Sequence, residues 1–316
     1  MEMPEVPQER RRAPRTITPL TTEAASGIGI LRFPLKQGPM QEFVRSALQE
    51  DAAFDDITTI ATVVSDRRSR ATLVAREGGV VCGLPLALEA FRLLDGKATL
   101  RIEHEDGTRV RSGEPIMFVT GHARGILSAE RVALNFMQRL SGIATLTSRY
   151  VEAVKGTNAK ILDTRKTTPG WRSLEKYAVR AGGGTNHRMD LSTGVLIKDN
   201  HLAALDGDVA KAISRARELA SKGVKIEVEC DRIEQVERAV EAGADIILLD
   251  NMPPALMIEC VQLVAGRAIL EASGGVNLGT VRAIAETGVD WISVGALTHS
   301  ATSMDLALDF ESSLSS

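Results

Sequence analysis

The sequence predicts two architectures in tandem, an α+β segment with a mixed sheet followed by a parallel α/β barrel. Three observations carry that expectation. Apolar residues fill 44% of the 316 positions while aromatics supply only 3%, so the core is built from Ala, Val, Leu and Ile. Such a core suits parallel strands covered by helices better than aromatic cross-strand pairing. Residues 40–125 mix helical runs with strands of period-2 alternation, whereas after residue 154 short apolar runs alternate with helical runs at regular spacing. The length is comfortable for two domains.

The elements follow in order. Residues 1–36 read as a disordered tail: Met1 to Arg15 mixes prolines, arginines and glutamates without the apolar stretch of a secretory signal, and the glutamates argue against a transit peptide. Gln41 to Gln49 reads as an amphipathic helix. Arg70 to Arg76 and Lys97 to Glu103 alternate as half-buried strands, with a helix from Leu84 to Leu94 between them. Ser112-Gly113-Glu114-Pro115 turns into a strand at Ile116 to Thr120. A long helix is expected over Leu127 to Val154, broken near Ser141-Gly142.

Six apolar runs come next: Lys160–Asp163, Val195–Ile197, Lys225–Glu229, Asp245–Leu249, Ala268–Glu271 and Trp291–Val294. Asp231 with Glu234 three residues on reads as a capping box, and Pro253-Pro254 suits a first helical turn. Six or seven strand–helix units imply a parallel sheet that closes or nearly closes.

The ends of those runs are polar or glycine: Asp163, Lys198, Glu229, Asp250, Glu271-Ala272-Ser273 and Gly295. One charged residue at a strand end is ordinary surface. The same register in five consecutive units points to a site, because barrel enzymes carry their reacting groups there.

Asp163-Thr164-Arg165-Lys166-Thr167-Thr168-Pro169-Gly170-Trp171 leaves a strand and turns. Gly182-Gly183-Gly184-Thr185-Asn186-His187-Arg188 follows, its glycines suited to close approach of backbone to a ligand, and then Lys198-Asp199-Asn200-His201. Arg165, Lys166, His187, Arg188 and Lys198 thus offer five cationic groups to one face of a chain whose net charge is -3. For a lone Lys or Arg, solvated surface charge is the better reading. A cluster set in Gly-, Thr- and Pro-rich loops points to a small, strongly anionic ligand, with guanidinium forks matching carboxylates. Glu229 and Asp250, on neighbouring strand ends, suit Mg2+ held through water, ribose hydroxyls, or a structural ion-pair network with the cations. Ser273-Gly274-Gly275-Val276-Asn277 and Val294-Gly295-Ala296 suit a phosphate cradle. His299, after the Val-Gly-Ala loop, is expected to reach that phosphate, and His201 suits a loop cap. His104 and His122 read as incidental.

Several classes are excluded. The net charge argues against nucleic-acid binding by bulk electrostatics. No apolar run approaches bilayer length. Three cysteines (Cys82, Cys230, Cys260) at wide spacing, with no C-x-x-C, fit reduced thiols in a cytoplasm rather than disulfides or zinc.

These segments resemble quinolinate phosphoribosyltransferase. Thr164-Arg165-Lys166-Thr167-Thr168-Pro169-Gly170, Gly182-Gly183-Gly184-x-x-His187-Arg188, Lys198-Asp199-Asn200-His201, Glu229-Cys230 and Ser273-Gly274-Gly275 carry the resemblance. So do Glu130-Arg131-Val132-Ala133-Leu134-Asn135 and Leu140-Ser141-Gly142-Ile143-Ala144-Thr145. It spans roughly residues 40–300. It departs at Asp55, where the family has glycine, and the N-terminal tail has no counterpart.

The resemblance implies an N-terminal α/β sandwich over 37–140, with a C-terminal helix at 301–316 packed on it, and an incomplete, seven-stranded α/β barrel over 141–300. It implies a homodimer, open to higher assembly, in which Arg131 enters the partner's site to grip quinolinate. Thr164, Arg165, His187, Arg188 and Lys198 would line that pocket, with Lys166 between quinolinate and phosphoribosyl pyrophosphate. Glu229 and Asp250 would meet ribose hydroxyls and Mg2+, the ion being held chiefly through substrate and water. Ser273, Gly274, Gly275, Gly295 and His299 would surround the 5-phosphate. Lys166, Glu229 and Asp250 would be the catalytic groups.

Three other functions stay open at this stage. They are a sister transferase using nicotinate or another heterocycle, a Schiff-base aldolase with Lys198 as nucleophile, and a ligand sensor without turnover.

Overall fold

The computed structural model describes residues 31–311, so the tail expected over 1–36 lies almost wholly outside the described residues. Helix α1 (Gln37–Glu50) buries Met40, Val44 and Leu48 at four-residue spacing. After a 3-10 turn (Ala53–Asp55), α2 (Ile57–Thr62) starts where the Asp56 carboxylate accepts from Thr59 N at 3.0 Å. The left-handed residue of this stretch is Ala52, at φ +50°, so Asp55 meets no backbone demand for glycine.

The chain continues through β1 (Arg68–Ala75), β2 (Gly79–Val80), α3 (Leu84–Leu94), β3 (Thr99–Ile102), β4 (Arg109–Val110), β5 (Pro115–His122) and α4 (Ala123–Ala153). Helix α4 runs unbroken past Ser141-Gly142. Ser141 is there for packing: its hydroxyl accepts from Cys82 N at 2.9 Å and donates to Cys82 O at 3.1 Å.

The second half alternates β6 (Lys160–Leu162), α5 (Arg172–Ala181), β7 (Val195–Ile197), α6 (Asp199–Ala203), α7 (Val209–Leu219), β8 (Ile226–Cys230), α8 (Ile233–Glu241), β9 (Ile246–Asp250), α9 (Pro254–Val264), β10 (Ile269–Ser273), α10 (Val281–Ala285), β11 (Trp291–Ser293) and α11 (Ala296–His299). Pro253 and Pro254 open α9, as their fixed φ permits. The capping box expected at Asp231 does not form. Helix α8 begins one residue later, after Arg232, and the Gln235 side chain accepts from Asp231 N at 2.8 Å instead.

The strands of this half form one parallel sheet in the order β6-β11-β10-β9-β8-β7, with the last strand returning beside the first. Six strands make the ladder where seven were expected. The seventh place is a single parallel bridge, Thr185 to Leu162. The strand cannot extend because side chains capture the next backbone groups. His187 N donates to the Asp163 carboxylate at 2.9 Å, and His187 O accepts from Lys176 Nζ at 3.1 Å.

The helix expected over 301–316 is corrected to a strand, β12 (Leu306–Glu311), with residues 312–316 outside the described ones. Leu306-Ala307-Leu308-Asp309-Phe310-Glu311 alternates with period 2, which suits a pleat and not a helix. It pairs antiparallel with β1 from Ala75↔Leu306 to Arg70↔Glu311 and joins a sheet of order β12-β1-β5-β3. It thereby covers an edge that β1 would otherwise expose. Among the described residues no helix is long and apolar enough to cross a membrane.

Candidate active site

Parity builds the site. In a strand, residues two apart share a face. The parallel register aligns Glu229 with Leu248 and Leu248 with Glu271, and one pleat further on Asp250 with Ser273. Leu196 lies opposite Glu227 on β7–β8, so Lys198 continues the same face. These strand ends and their loops enclose a cavity of about 700 Å3. Its lining includes Thr164, Arg165, Lys166, His187, Arg188, Lys198, Glu229, Asp250, Ser273, Gly274 and Gly275, together with Leu196, Leu248, Asn251, Glu271 and Ser293.

The five expected cationic groups therefore share one cavity. Arg188 is oriented by donating from Nη1 to Gly194 O at 2.9 Å, and burial followed by the nearby Arg165 charge lowers its pKa. Lys198 is exposed, with Nζ 3.7 Å from Glu229 Oε2. His201 caps the turn behind it, its Nδ1 accepting from Lys198 N at 2.9 Å.

The same cavity holds the two carboxylates, Glu229 and Asp250. Burial raises the Glu229 pKa, Lys198 pulls it back, and the neighbouring charge of Asp250 pushes it up again. Asp250 accepts from Asn251 Nδ2 at 2.8 Å. Gly274, at φ +92°, is obligatory: a Cβ there would lie 2.2 Å from Asn251 Oδ1. The Ser273-Gly274-Gly275 turn is thus packed directly onto the residue after Asp250.

Two expected phosphate contacts sit one layer back. Gly295 and His299 do not line the cavity; a Cβ at Gly295 would lie 3.1 Å from both Lys166 Cδ and His299 Nε2. Gly295 sits between the Lys166 stem and the His299 ring. Thr298 Oγ1 also donates to Lys166 O at 2.7 Å. Arg131 is exposed on α4 and does not line the cavity of its own chain. The glycines before Thr185 serve packing rather than a ligand: a Cβ at Gly182 would lie 2.3 Å from Ala144 O of α4.

Sequence reasoning missed the layer beneath. Asp163 has opposite parity and turns away from the cavity, where it is fully buried and paired with equally buried Lys176. Burial raises the Asp163 pKa and lowers that of Lys176, and each charge opposes the other's shift. The residue before Lys176, Glu175, accepts from Arg139 Nη2 at 2.7 Å and from Thr168 N and Oγ1 at 3.0 and 2.9 Å. Adjacent residues of α5 thus clamp both cationic loops. Also missed were Glu227 and its grouping with Glu271, the latter singled out only as a run end; both are buried, with carboxylates 3.1 and 3.4 Å from His187 Nε2. Their signal was present: each lies two residues before a residue already singled out, Glu229 and Ser273, and so shares its face. Burial depresses the His187 pKa, but the two glutamates outweigh it and hold it up to about 10.

The arrangement suits a small polyanion gripped by the cations, a carboxylate pair that stabilises positive charge beside it, and a phosphate on the late glycine loop. Comparison with known proteins agrees. The family described as quinolinate phosphoribosyl transferase, N-terminal domain, matches residues 56–141, and its C-terminal domain counterpart matches 143–309. The carboxylating nicotinate-nucleotide pyrophosphorylase of Mycobacterium leprae is 44% identical over 275 residues, covering 85% of this chain and 96% of that protein. A decarboxylating quinolinate phosphoribosyltransferase of Nicotiana glauca is 38% identical over 325 residues, covering 96% and 92%. The structure of the nicotinate-nucleotide pyrophosphorylase from Francisella tularensis superposes with a TM-score of 0.84 at 38% identity, covering 88% of this chain and 98% of that one.

Proposed function

Because this chain belongs to the quinolinate phosphoribosyltransferase family, we propose that it joins quinolinate to phosphoribosyl pyrophosphate and releases nicotinate mononucleotide, pyrophosphate and CO2, a step of NAD synthesis. The observation that carries this reading is the single cavity that Arg165, Arg188 and Lys198 line together with Glu229 and Asp250. Paired guanidiniums suit a dicarboxylate better than nicotinate, whose one carboxylate would leave a half-buried guanidinium without its partner.

Arg165, Arg188 and Lys198 hold the two carboxylates and aim the ring nitrogen at C1 of the ribose. Thr164 and His187 bound the same pocket. Lys166 reaches between the two substrates and neutralises charge on the leaving pyrophosphate. As that bond breaks, the ribose ring gains oxocarbenium character, and Glu229 and Asp250 stabilise the positive charge. Ser273, Gly274 and Gly275 receive the 5-phosphate, with Gly295 and His299 supporting Lys166 from behind.

Glu229 and Asp250 offer hard oxygen donors at the cavity mouth, a set that fits Mg2+ held chiefly through water and substrate. The chemistry an ion bound there supplies is charge neutralisation on the leaving group. Once ribosylated, the quaternary nitrogen draws electrons from C2, so the adjacent carboxylate departs without another cofactor.

The exposed position of Arg131 supports a homodimer in which it completes the partner's site. Mixing R131A with K166A tests this. Each variant is inactive alone, and random reassortment leaves about a quarter of sites intact; absence of recovery removes the exchange. Three buried, unpaired cysteines support a reducing compartment, the cytoplasm.

The first assay mixes the protein with quinolinate, phosphoribosyl pyrophosphate and Mg2+, with nicotinate in parallel. Mononucleotide and CO2 from quinolinate alone is the expected result. Turnover with nicotinate alone would refute the decarboxylating step.

A further inference from the structure

Lys166 has to meet the leaving pyrophosphate, yet it is exposed and carries its charge on a flexible four-carbon stem. Where that charge goes therefore depends on how the backbone beneath it is held. Lys166 N donates to Thr164 Oγ1 at 3.1 Å, and Lys166 O accepts from Thr298 Oγ1 at 2.7 Å. Two residues on, Thr168 gives its N and Oγ1 to Glu175 at 3.0 and 2.9 Å. Thr298 on α11 and Glu175 on α5 are both fully buried.

One side chain joins those two holders. Helix α4 is pressed against the 298–306 segment at Gly142, where a Cβ would lie 2.1 Å from Thr302 O. Arg139 lies three residues earlier in the same helix, hence on the same face. Its Nη2 donates to Glu175 Oε1 at 2.7 Å and also, closely, to Thr298 O. Its Nη1 donates to Ala301 O at 3.0 Å. The rigid guanidinium fork thus locks α4, α5 and α11 together at the point where the last two grip the Lys166 loop. An ion pair with Glu175 alone would account for a charge here. It would not account for the same nitrogen reaching the carbonyl of the residue whose hydroxyl holds Lys166. The quinolinate side has a separate anchor, since Lys176 and Asp163 hold His187, next to Arg188.

We infer that Arg139 is the positioning residue for Lys166: through Thr298 and Glu175 it fixes the backbone from which Lys166 addresses the pyrophosphate of the donor substrate. Arg139 itself does not line the cavity. The inference rests on the role proposed for Lys166 and adds to it a residue that acts on the donor side alone.

The test compares R139K, T298V and T298S with wild type. R139K keeps the charge beside buried Glu175, so its unfolding midpoint should stay near that of wild type, but a point charge cannot span the three acceptors. With quinolinate, phosphoribosyl pyrophosphate and Mg2+, R139K and T298V should each lower kcat and raise the KM for phosphoribosyl pyrophosphate. The combined fall in kcat/KM should be about 10–100-fold, with quinolinate KM little changed. T298S keeps the hydroxyl and should behave as wild type. The double variant R139K/T298V should be little worse than either single one, because both cut the same chain of contacts. Normal kinetics in a folded R139K, a quinolinate KM that rises as far as the donor's, or a T298S as impaired as T298V overturns the inference. If R139K unfolds, T298V against T298S carries the test alone. Binding of inorganic pyrophosphate with Mg2+, measured by calorimetry, reads the same contact without turnover. It should weaken about tenfold or more in R139K and T298V, the worth of one misaimed charge-assisted hydrogen bond. A wild type that binds pyrophosphate but turns nothing over overturns the transferase reading alone. Equal pyrophosphate affinity in wild type and both variants overturns the inference alone.

Discussion

Replacing Lys176 by methionine removes one half of an ion pair whose two members are both fully buried. Asp163 then keeps two donors, Asn186 Nδ2 and His187 N, but no counter-charge. Breaking a buried pair from one side costs about 3–5 kcal/mol, because the remaining charge stays desolvated. The double variant D163N/K176M has no charge to strand and loses only hydrogen bonds, about 1–2 kcal/mol. The double variant should therefore be about 2–3 kcal/mol more stable than K176M alone, a large share of a typical domain's stability. Urea unfolding of wild type, both single variants and the double variant measures this coupling. The kinetic counterpart is in quinolinate KM, since Lys176 Nζ also holds His187 O at 3.1 Å, next to Arg188. K176M should raise that KM more than the KM for phosphoribosyl pyrophosphate. A K176M cost below about 1 kcal/mol, or a double variant as unstable as the sum of the singles, would refute the view that this pair is closed to water and pins the cationic segment.

Further outcomes follow from other contacts. R188A should raise quinolinate KM by roughly 10–100-fold, the loss of one or two charge-assisted hydrogen bonds, with an unchanged unfolding midpoint; near-normal turnover at low quinolinate sinks the assignment. G274A forces a Cβ into the Asn251 side chain at φ +92° and should cost about 1–3 kcal/mol locally, read as weaker phosphoribosyl pyrophosphate binding with quinolinate KM little changed. Asp106 accepts from Gly83 N and Leu84 N at 3.0 Å each and from Tyr177 Oη at 2.8 Å, yet burial outweighs these donors and pushes its carboxyl up to about 6. The folded value lies above the ordinary 3.8. Its proton-linked stabilisation is therefore complete below about pH 4 and lost as pH rises through 6. D106N should flatten the stability–pH curve across that window, and an unchanged slope would contradict the shift.

The sequence by itself determined the element types and most of the cavity's lining. Period-2 runs and the strand–helix repeat are local properties, and a polar residue at the end of each apolar run is visible without coordinates. Arg165, Lys166, Arg188, Lys198, Glu229 and Asp250 were legible for that reason, and the structure brings them around one cavity. What remained hidden depended on which way a side chain faces and what it meets across the fold. Asp163 looked like the other strand ends, but its parity turns it onto Lys176, a residue inside an amphipathic helix with no motif to mark it. Glu227 sits inside a strand, where a lone glutamate is ambiguous, and its pairing with Glu271, a legible run end, shows only when three elements bring His187 between them. The last strand was misread as a helix because six residues of alternation gain meaning only from an open edge, and that edge belongs to β1, more than two hundred residues earlier in the chain. Local pattern thus set the parts, and long-range register and burial decided which charges would meet, since only a formed sheet excludes the water that otherwise screens them.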